Sequence, residues 1–207
     1  MSTKKFADYV IDIQKRIKGQ RVLDIGCLAT NKHNILLRHK EYRKYTKEMI
    51  GVDYNKKFLE ICKNRDEKNL YFLDITDNTQ TNIFITKFGT FDHIIATDII
   101  EHIGNLTLFL DNVYKLLNKN GSFYITTPNV TCPDLWCRTL DNKGDTKSNP
   151  DHICFFDVRT LTSLLNRSKL IVKEIMFQEV GDKNLKRLNL KRAKWMGKRI
   201  YLIITKE

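Results

Sequence analysis

The sequence predicts an α/β fold: one doubly wound, mostly parallel sheet with helices on both faces. Two observations carry this prediction. Apolar runs of strand length alternate with amphipathic stretches of helix length through the first 127 residues, and such alternation is typical of parallel sheets with right-handed crossovers. Three apolar runs, 21–26, 49–53 and 70–74, also carry an acidic residue at or near their carboxyl ends. Ligands bind at that edge of open α/β sheets.

Length and composition indicate one globular domain over residues 1–207. Hydrophobic content of 42% and charged content of 29% exclude a disordered chain. No apolar run approaches the ~20 residues of a membrane span, and no signal peptide is expected. The five cysteines form no C-x-x-C pair, which argues against a zinc site or a disulfide framework. We therefore predict a cytoplasmic location, with reduced thiols.

The net charge of +12 is distributed unevenly along the chain. Basic residues exceed acidic ones in segments 1–21 and 31–50, and segment 183–199 has eight Lys and Arg and no acid. The middle of the chain, 51–182, is close to neutral. Basic segments of this kind would favour RNA or a phosphate-bearing substrate. A solvated, lysine-rich surface explains the composition equally well, so both interpretations stay open.

Three helices and two strands are predicted in the first 65 residues. Phe6, Val10, Ile13 and Ile17 have helical spacing and predict an N-terminal helix within residues 1–19, over 3–18. The next run is almost entirely apolar, as expected for a buried parallel strand. The elements that follow are strand 21–26, helix 31–39 with Ile35, Leu36 and Leu37 inward, a polar insertion over 40–47, strand 49–53, and a helix over 56–65 that Asn55 can cap.

From residue 70 onward, predicted strands and helices continue to alternate until Pro128 ends a strand. Asn120 and Gly121 predict a turn before that strand. Residues 129–150 are predicted to be a long irregular loop that shapes the substrate pocket, because long loops are usually functional. The predicted elements are strand 70–74, helix 79–87, strand 91–97, helix 105–117, strand 122–127, helix 157–167, and strands 170–177 and 200–205, the last two separated by the basic segment 183–199.

The acidic strand ends have the chemistry of a nucleoside site. Gly26 lets the backbone approach a ligand closely. Asp53, at the end of its strand, is placed to accept both hydroxyls of a ribose. Asp74 can accept from the exocyclic amine of an adenine, and Ile75 can contact its ring. Asp at a strand end is often only a turn former, but three at matching positions favour a ligand site.

A second group of polar residues follows the strand over 91–97. Asp98, Glu101 and His102 lie just beyond its end, and His152 follows the long loop and can fold back over the same edge. A histidine there can remove the proton from an acceptor hydroxyl. Glu101, His102 and His152 could instead bind a divalent metal. A purely structural role for both histidines is the third interpretation.

Taken in order, these segments resemble the class I S-adenosylmethionine-dependent methyltransferases over about residues 20–177. The resemblance implies a single Rossmann-like, doubly wound sheet of seven strands, mostly parallel, with an antiparallel last strand at 200–205. It is carried by the segments Val22-Leu-Asp-Ile-Gly-Cys27, Gly51-Val-Asp53, Phe72-Leu-Asp-Ile75, Phe91-Asp-His-Ile-Ile-Ala-Thr-Asp-Ile-Ile-Glu-His102 and Gly121-Ser-Phe-Tyr-Ile-Thr-Thr-Pro-Asn129.

The resemblance also implies S-adenosylmethionine as cofactor and a set of residues around it. Gly26 would lie under its methionine part, and Thr97 and Asp98 would line its reactive side. The family's G-x-G-x-G loop is replaced here, because Leu28 and Thr30 stand where glycines are usual. A non-catalytic relative is therefore one alternative. The predicted cofactor-binding residues are Asp24, Gly26, Cys27, Asp53, Tyr54, Asp74, Ile75, Thr97 and Asp98.

The predicted function is O-methylation of a small molecule or glycan intermediate, with His102 or His152 as general base. Many small-molecule and glycan O-methyltransferases have Glu-His and Thr-Pro-Asn at these places. Ubiquinone-pathway and RNA 2′-O-methyltransferases have Glu-x-x-Glu-His and bind a metal. Here the first acid is the shorter Asp98, so a metal is not expected, and RNA methylation is the alternative. A nicotinamide-dependent oxidoreductase is disfavoured, because G-x-G-x-x-G is absent.

Overall fold

The computed structural model describes residues 2–3, 8–28, 35–65, 67–140, 151–178 and 194–207. Within them, eight strands form one sheet in the order β1-β7-β8-β6-β5-β2-β3-β4. The strands are β1 (Ser2–Thr3), β2 (Arg21–Ile25), β3 (Glu48–Asp53), β4 (Leu70–Phe72), β5 (Phe91–Thr97), β6 (Leu117–Pro128), β7 (Leu170–Phe177) and β8 (Arg199–Lys206).

Strand directions confirm the predicted topology. Strands β4, β3, β2, β5 and β6 are parallel to one another, and β8 runs antiparallel to both β6 and β7. The two-residue β1 pairs with the edge strand β7 and adds an eighth strand to the predicted seven. Because β8 is antiparallel, its first residue, Arg199, pairs with Pro128 at the end of β6. Arg199 therefore lies at the edge where the parallel strands end.

Seven helices and two short 3-10 turns accompany the sheet in the described residues. Asn55 caps α3 as predicted, since its side chain accepts a hydrogen bond from the N–H of Phe58 at 3.1 Å. The helices are α1 (Tyr9–Arg16), α2 (Leu37–Arg43), α3 (Lys56–Lys63), α4 (Asn78–Phe88), α5 (Leu106–Leu116), α6 (Pro133–Leu140) and α7 (Val158–Arg167), and the 3-10 turns are Ile100–His102 and Lys194–Met196.

The two faces of the sheet pack against different helices, as expected for a doubly wound fold. Successive residues of a strand point to opposite faces. Leu23 accordingly joins a cluster with α4, α5 and α7, and Val22 joins a cluster with α1 and α2. Both residues are fully buried. No helix within the described ranges has the length and apolar character needed to cross a membrane.

The N-terminal third differs from the prediction in two places. The helix predicted over 3–18 begins only at Tyr9, because Asp8 caps it, and residues 2–3 are extended; Phe6 lies outside the described residues. Helix α2 occupies 37–43 and so includes part of the predicted polar insertion. Leu37, predicted to face inward, is 55% exposed. The helix instead buries His39 and Tyr42.

Two further predictions are corrected in the second half. Asn120 and Gly121 do not form a separate turn, because β6 is continuous and a register shift against β5 accommodates the additional residues. The predicted irregular loop over 129–150 contains α6, and its residues 141–150 lie outside the described part. Of the basic segment 183–199, residues 183–193 also lie outside it.

Candidate functional site

A cavity of about 710 Å³ opens at the carboxyl ends of the parallel strands. This volume is typical of small-molecule and cofactor sites. The segments that follow β2, β3, β4 and β5 all contribute to its wall. The predicted residues that line it are Gly26, Cys27, Asp53, Tyr54, Asp74, Ile75, Thr97, Asp98, Glu101, His102 and His152.

Asp24 is the predicted cofactor-binding residue that the structure does not bring to the cavity wall. Its side chain is only 5% exposed, and one carboxylate oxygen lies 2.9 Å from Nδ1 of the fully buried His39. A buried carboxylate needs such a partner, because desolvation without one is costly. Asp24 therefore joins α2 to β2 beneath the site. The sequence marked Asp24 as a strand-end acid but gave no sign of its histidine partner.

Asp53 lies at the junction of two segments of the cavity wall. It ends β3 and is 7% exposed. Its carboxylate accepts hydrogen bonds from the N–H of Asn55 at 2.9 Å and from the N–H of Leu28 at 3.2 Å. Burial raises the pKa of this carboxyl group above its usual value. Because an ionised carboxylate has about four acceptor sites, these hydrogen bonds still leave capacity for ligand hydroxyls. Beside it, Tyr54 is 76% exposed.

Gly26 is the point of closest approach between the segments after β2 and β5. Its φ is +69°, a left-handed conformation that favours glycine. A Cβ atom at this position would lie 2.0 Å from Cδ1 of Ile99, which also lines the cavity. The adjacent Cys27 is buried, and burial raises the pKa of its thiol well above the usual value. Cys27 is thus a neutral wall residue rather than a nucleophile.

We predict that Gly26→Ala destabilises the fold more than Gly19→Ala. Both glycines have a positive φ, so each alanine costs about 1–2 kcal/mol in backbone strain. Gly19 has no atom within 4 Å of the added Cβ, whereas Gly26 meets Ile99. Overpacking should add about 1–3 kcal/mol at Gly26. Urea unfolding of both variants measures the difference, and equal losses would contradict the close packing seen here.

The predicted adenine end of the cavity is held by a compact turn. Asp74 accepts hydrogen bonds from the N–H of Thr76 at 2.9 Å and from its hydroxyl at 2.7 Å. The carbonyl of Ile75 accepts from the side-chain amide of Asn112 at 2.9 Å. Asn112 is fully buried in α5 and was not predicted as a site residue. A polar residue on an otherwise apolar helix face was the signal that could have identified it.

Asp98 has an unusual backbone and a cationic partner. Its φ is +55°, a conformation that residues other than glycine adopt uncommonly, although aspartate does so more often than most. Nε of Arg199 donates to both carboxylate oxygens, at 2.9 and 3.0 Å, and the hydroxyl of Thr126 donates to one of them at 3.2 Å. Arg199 also donates to Gln178 at 2.9 Å. It lines the cavity but was predicted only as part of a basic segment.

The two predicted histidines meet at the cavity, beside Glu101. Their ring centroids are 4.8 Å apart, at 76° to each other. The N–H of Ile153 donates to the carbonyl of Glu101 at 2.9 Å, which holds the segment of His152 against the turn of His102. Nδ1 of His102 lies 3.0 Å from the carbonyl oxygen of Asp151. The structure therefore brings together residues that are 50 positions apart in the sequence.

Glu101 is the buried member of this group. It is 1% exposed, and one oxygen accepts a hydrogen bond from the hydroxyl of Thr127 at 3.0 Å. The other oxygen lies 4.0 Å from Nε2 of His152 and has no hydrogen-bond partner within the described residues. Burial raises the pKa of this carboxyl group to about 7. In its ionised form, Glu101 can stabilise a cation that forms or binds nearby.

The ligand atoms of Glu101, His102 and His152 all lie within 4.8 Å of one another. Two imidazoles and a carboxylate suit several divalent metals. The contact of His102 with a backbone carbonyl is also a usual arrangement for a metal-ligating histidine. Asp98, the acid at the first position of the Asp-x-x-Glu-His segment, is instead paired with Arg199. The three-residue group fits a metal, but Asp98, the fourth candidate ligand, is already paired with a cation of the protein.

A doubly wound sheet with a cavity at the carboxyl ends of its parallel strands is the arrangement in which many α/β proteins bind a nucleotide cofactor. The sequence model of a family described as a methyltransferase domain matches residues 3–172. The chain therefore belongs to the S-adenosylmethionine-dependent methyltransferases of class I. S-adenosylmethionine is the methyl donor that this family implies.

The chain is also similar in sequence to individual proteins that are named as methyltransferases. The chain is 30% identical over 117 residues to the ubiquinone biosynthesis O-methyltransferase of Pelagibacter ubique, covering 56% of this chain and 45% of the relative. The mitochondrial protein of that name from Rattus norvegicus is 25% identical over 130 residues, covering 58% and 34%. The chain thus spans about half the length, or less, of the curated relatives it matches.

Solved structures share the fold. A SAM-dependent methyltransferase from Archaeoglobus fulgidus superimposes with a TM-score of 0.64 and 20% identity, covering 96% of this chain and 93% of that one. A SAM-dependent methyltransferase from Anabaena variabilis gives a TM-score of 0.66 and 16% identity, covering 97% and 84%. At these identities the likeness concerns the fold alone.

Proposed function

We propose that the protein transfers a methyl group from S-adenosylmethionine to an oxygen of a small molecule, with a histidine as general base. The observation that carries this proposal is the pair of imidazoles at 4.8 Å in the cavity wall. The relatives named ubiquinone biosynthesis O-methyltransferase favour an oxygen acceptor on a small molecule. None of the comparisons described above supports a glycan or an RNA acceptor. The single-domain organisation and the cytoplasmic location stay predictions.

The cofactor is proposed to lie along the strand ends, with Asp53 on the ribose hydroxyls. The turn of Asp74 and Ile75 would frame the adenine, because it presents a carboxylate and a buried apolar side chain to the cavity. Thr97, the last residue of β5, and Asp98, which follows it, would flank the sulfonium. Gly26, Cys27 and Tyr54 complete the wall of this part of the cavity.

The chemical demand on the protein is small, because the sulfonium already activates the methyl group. The acceptor oxygen must be held in line, ~3 Å from the methyl carbon. As the new O–C bond forms and the C–S bond breaks, a neutral imidazole takes the hydroxyl proton. We assign this role to His152, because Glu101 lies within ion-pair distance and stabilises the imidazolium that results. S-adenosylhomocysteine and the methyl ether are the products.

We predict that methyl transfer persists without added metal. A divalent ion, if bound, would be held by Glu101, His102 and His152 and would polarise the acceptor hydroxyl. Arg199 already pairs with Asp98 at this edge, which removes the fourth candidate ligand from such a site. Dialysis against EDTA should therefore leave the transfer rate within twofold of the untreated protein. A loss that magnesium or zinc restores would contradict this prediction.

The nature of the acceptor atom is tested with tritium-labelled S-adenosylmethionine and three matched aromatic acceptors that carry hydroxyl, amino or thiol groups. We expect label in the methyl ether of the hydroxyl compound, at a rate that rises with the protein concentration. Label confined to the amine or the thiol would contradict oxygen transfer. Heat-denatured protein is the control for uncatalysed methylation.

A further inference from the structure

The described part of the altered glycine loop, residues 26–28, uses its backbone N–H groups for hydrogen bonds within the protein. The N–H groups of Gly26 and Cys27 donate to the carbonyl of Val52 at 2.9 and 3.3 Å. The N–H of Leu28 donates to the carboxylate of Asp53 at 3.2 Å. None of these three groups is left to bind an anion. Among the described residues, a partner for the carboxylate of the cofactor's methionine part must therefore come from elsewhere in the cavity wall.

Arg38 lines the cavity and carries a guanidinium group with N–H donors that a ligand could use. Within the described residues, the lysine and arginine side chains that line the cavity are Arg38 and Arg199. Arg199 is engaged with Asp98 and Gln178. The ion pair of Arg38 in the described part of the chain is a weak one, at 3.8 Å, with Glu41 on its own helix. Most of the five N–H donors of its guanidinium are therefore available to a ligand.

Tyr9 places a hydroxyl beside this guanidinium. Arg38 lies over the Tyr9 ring, 5.6 Å from its centroid. Tyr9 is 7% exposed and lines the cavity, and its hydroxyl makes no hydrogen bond to another described residue. Burial raises the pKa of this phenol, and the charges of Asp98, Arg38 and Arg199 also act on it. All four side chains line the cavity, with Arg38 against Tyr9 and Arg199 against Asp98.

We propose that Arg38 and Tyr9 bind the carboxylate of the cofactor's methionine part and that Asp98 accepts its ammonium group. Guanidinium and carboxylate form charge-assisted, often bidentate hydrogen bonds. One oxygen of Asp98 receives only the Nε of Arg199 and can accept a further donor. Helices α1 and α2 would thereby supply the contacts that the N–H groups of residues 26–28 do not offer. This inference rests on the cofactor and not on the proposed acceptor.

The test compares two ligands that differ in the methionine part. S-adenosylhomocysteine carries the carboxylate and the ammonium, and methylthioadenosine carries neither. We expect Arg38→Gln to raise the calorimetric Kd of S-adenosylhomocysteine about 10- to 100-fold and to leave that of methylthioadenosine within twofold. Arg43→Gln removes the same charge from the same helix at a residue that does not line the cavity. This control should change neither Kd.

Three results would overturn the proposal. Equal weakening of both ligands by Arg38→Gln would mean that Arg38 supports the nucleoside end or the fold. An unchanged Kd for S-adenosylhomocysteine with a raised KM for the acceptor would assign Arg38 to an acidic acceptor. No binding of either ligand by the unaltered protein would overturn the cofactor assignment as well. Selective loss together with failed oxygen methylation would support the carboxylate site and reject only the proposed acceptor chemistry.

Discussion

Replacement of Asp53 by alanine should weaken binding of S-adenosylmethionine and S-adenosylhomocysteine by about 100-fold or more. The carboxylate is proposed to accept two ribose hydroxyls, and each hydrogen bond to a charged group contributes about 1.5–3 kcal/mol. Asp53 also receives the N–H groups of Leu28 and Asn55, so its loss loosens the wall itself. Calorimetric titration of the variant with S-adenosylhomocysteine measures the effect.

Two further variants separate binding from folding. Asp53→Asn keeps the side-chain volume and one acceptor oxygen, so it can keep one of the two backbone hydrogen bonds and should destabilise the fold less than Asp53→Ala while still losing most of the affinity. Asp111→Ala removes a carboxylate from an exposed position of α5 that does not line the cavity. It should bind normally. Full affinity in both Asp53 variants would refute the placement of the ribose.

Replacement of His152 by alanine should lower kcat by about 100- to 10,000-fold and leave the Kd of S-adenosylhomocysteine within threefold. A positioned general base contributes about this factor, and His152 is proposed to touch the acceptor rather than the nucleoside. Single-turnover methyl transfer and calorimetry measure the two quantities separately. Loss of cofactor affinity in step with kcat would instead mean that His152 supports the whole cavity.

Two other histidines act as controls for this prediction. His102→Ala should lower kcat less, because His152 has the closer contact with Glu101 in the proposed mechanism. His93 contacts the hydroxyl of Tyr124 at 3.0 Å and does not line the cavity. His93→Ala should therefore keep the rate per folded molecule. A larger loss in His102→Ala than in His152→Ala would transfer the role of base to His102.

The parts of the molecule that could be predicted depend on short-range patterns. Val22 and Leu23 alternate between the two faces of a buried strand, and this period is visible in the sequence. Asp53 and Asp74 could be placed at one edge because parallel strands end on the same side of a sheet. Asn55 could be placed as a helix cap because capping depends on the next three residues.

The features that were corrected or missed depend on partners distant in sequence or on how a helix is rotated about its own axis. Arg199 meets Asp98 across 101 residues, and nothing near either residue indicates the pair. The orientation of α2 is set by the contact of His39 with Asp24, which overrides the apolar character of Leu37. Tertiary packing decides such orientations. An unpaired buried carboxylate would cost more free energy than the burial of one further leucine would contribute.

The claim that the cavity holds the cofactor despite its altered glycine loop is tested most directly by titrating the unaltered protein with S-adenosylmethionine. We expect saturable heat at one site per chain. At a ligand concentration 100 times the Kd, binding should stabilise the fold by about 2.7 kcal/mol. For a chain of this length, that raises Tm by roughly 5–10 °C. Absence of both heat and thermal stabilisation at millimolar ligand would contradict the assignment.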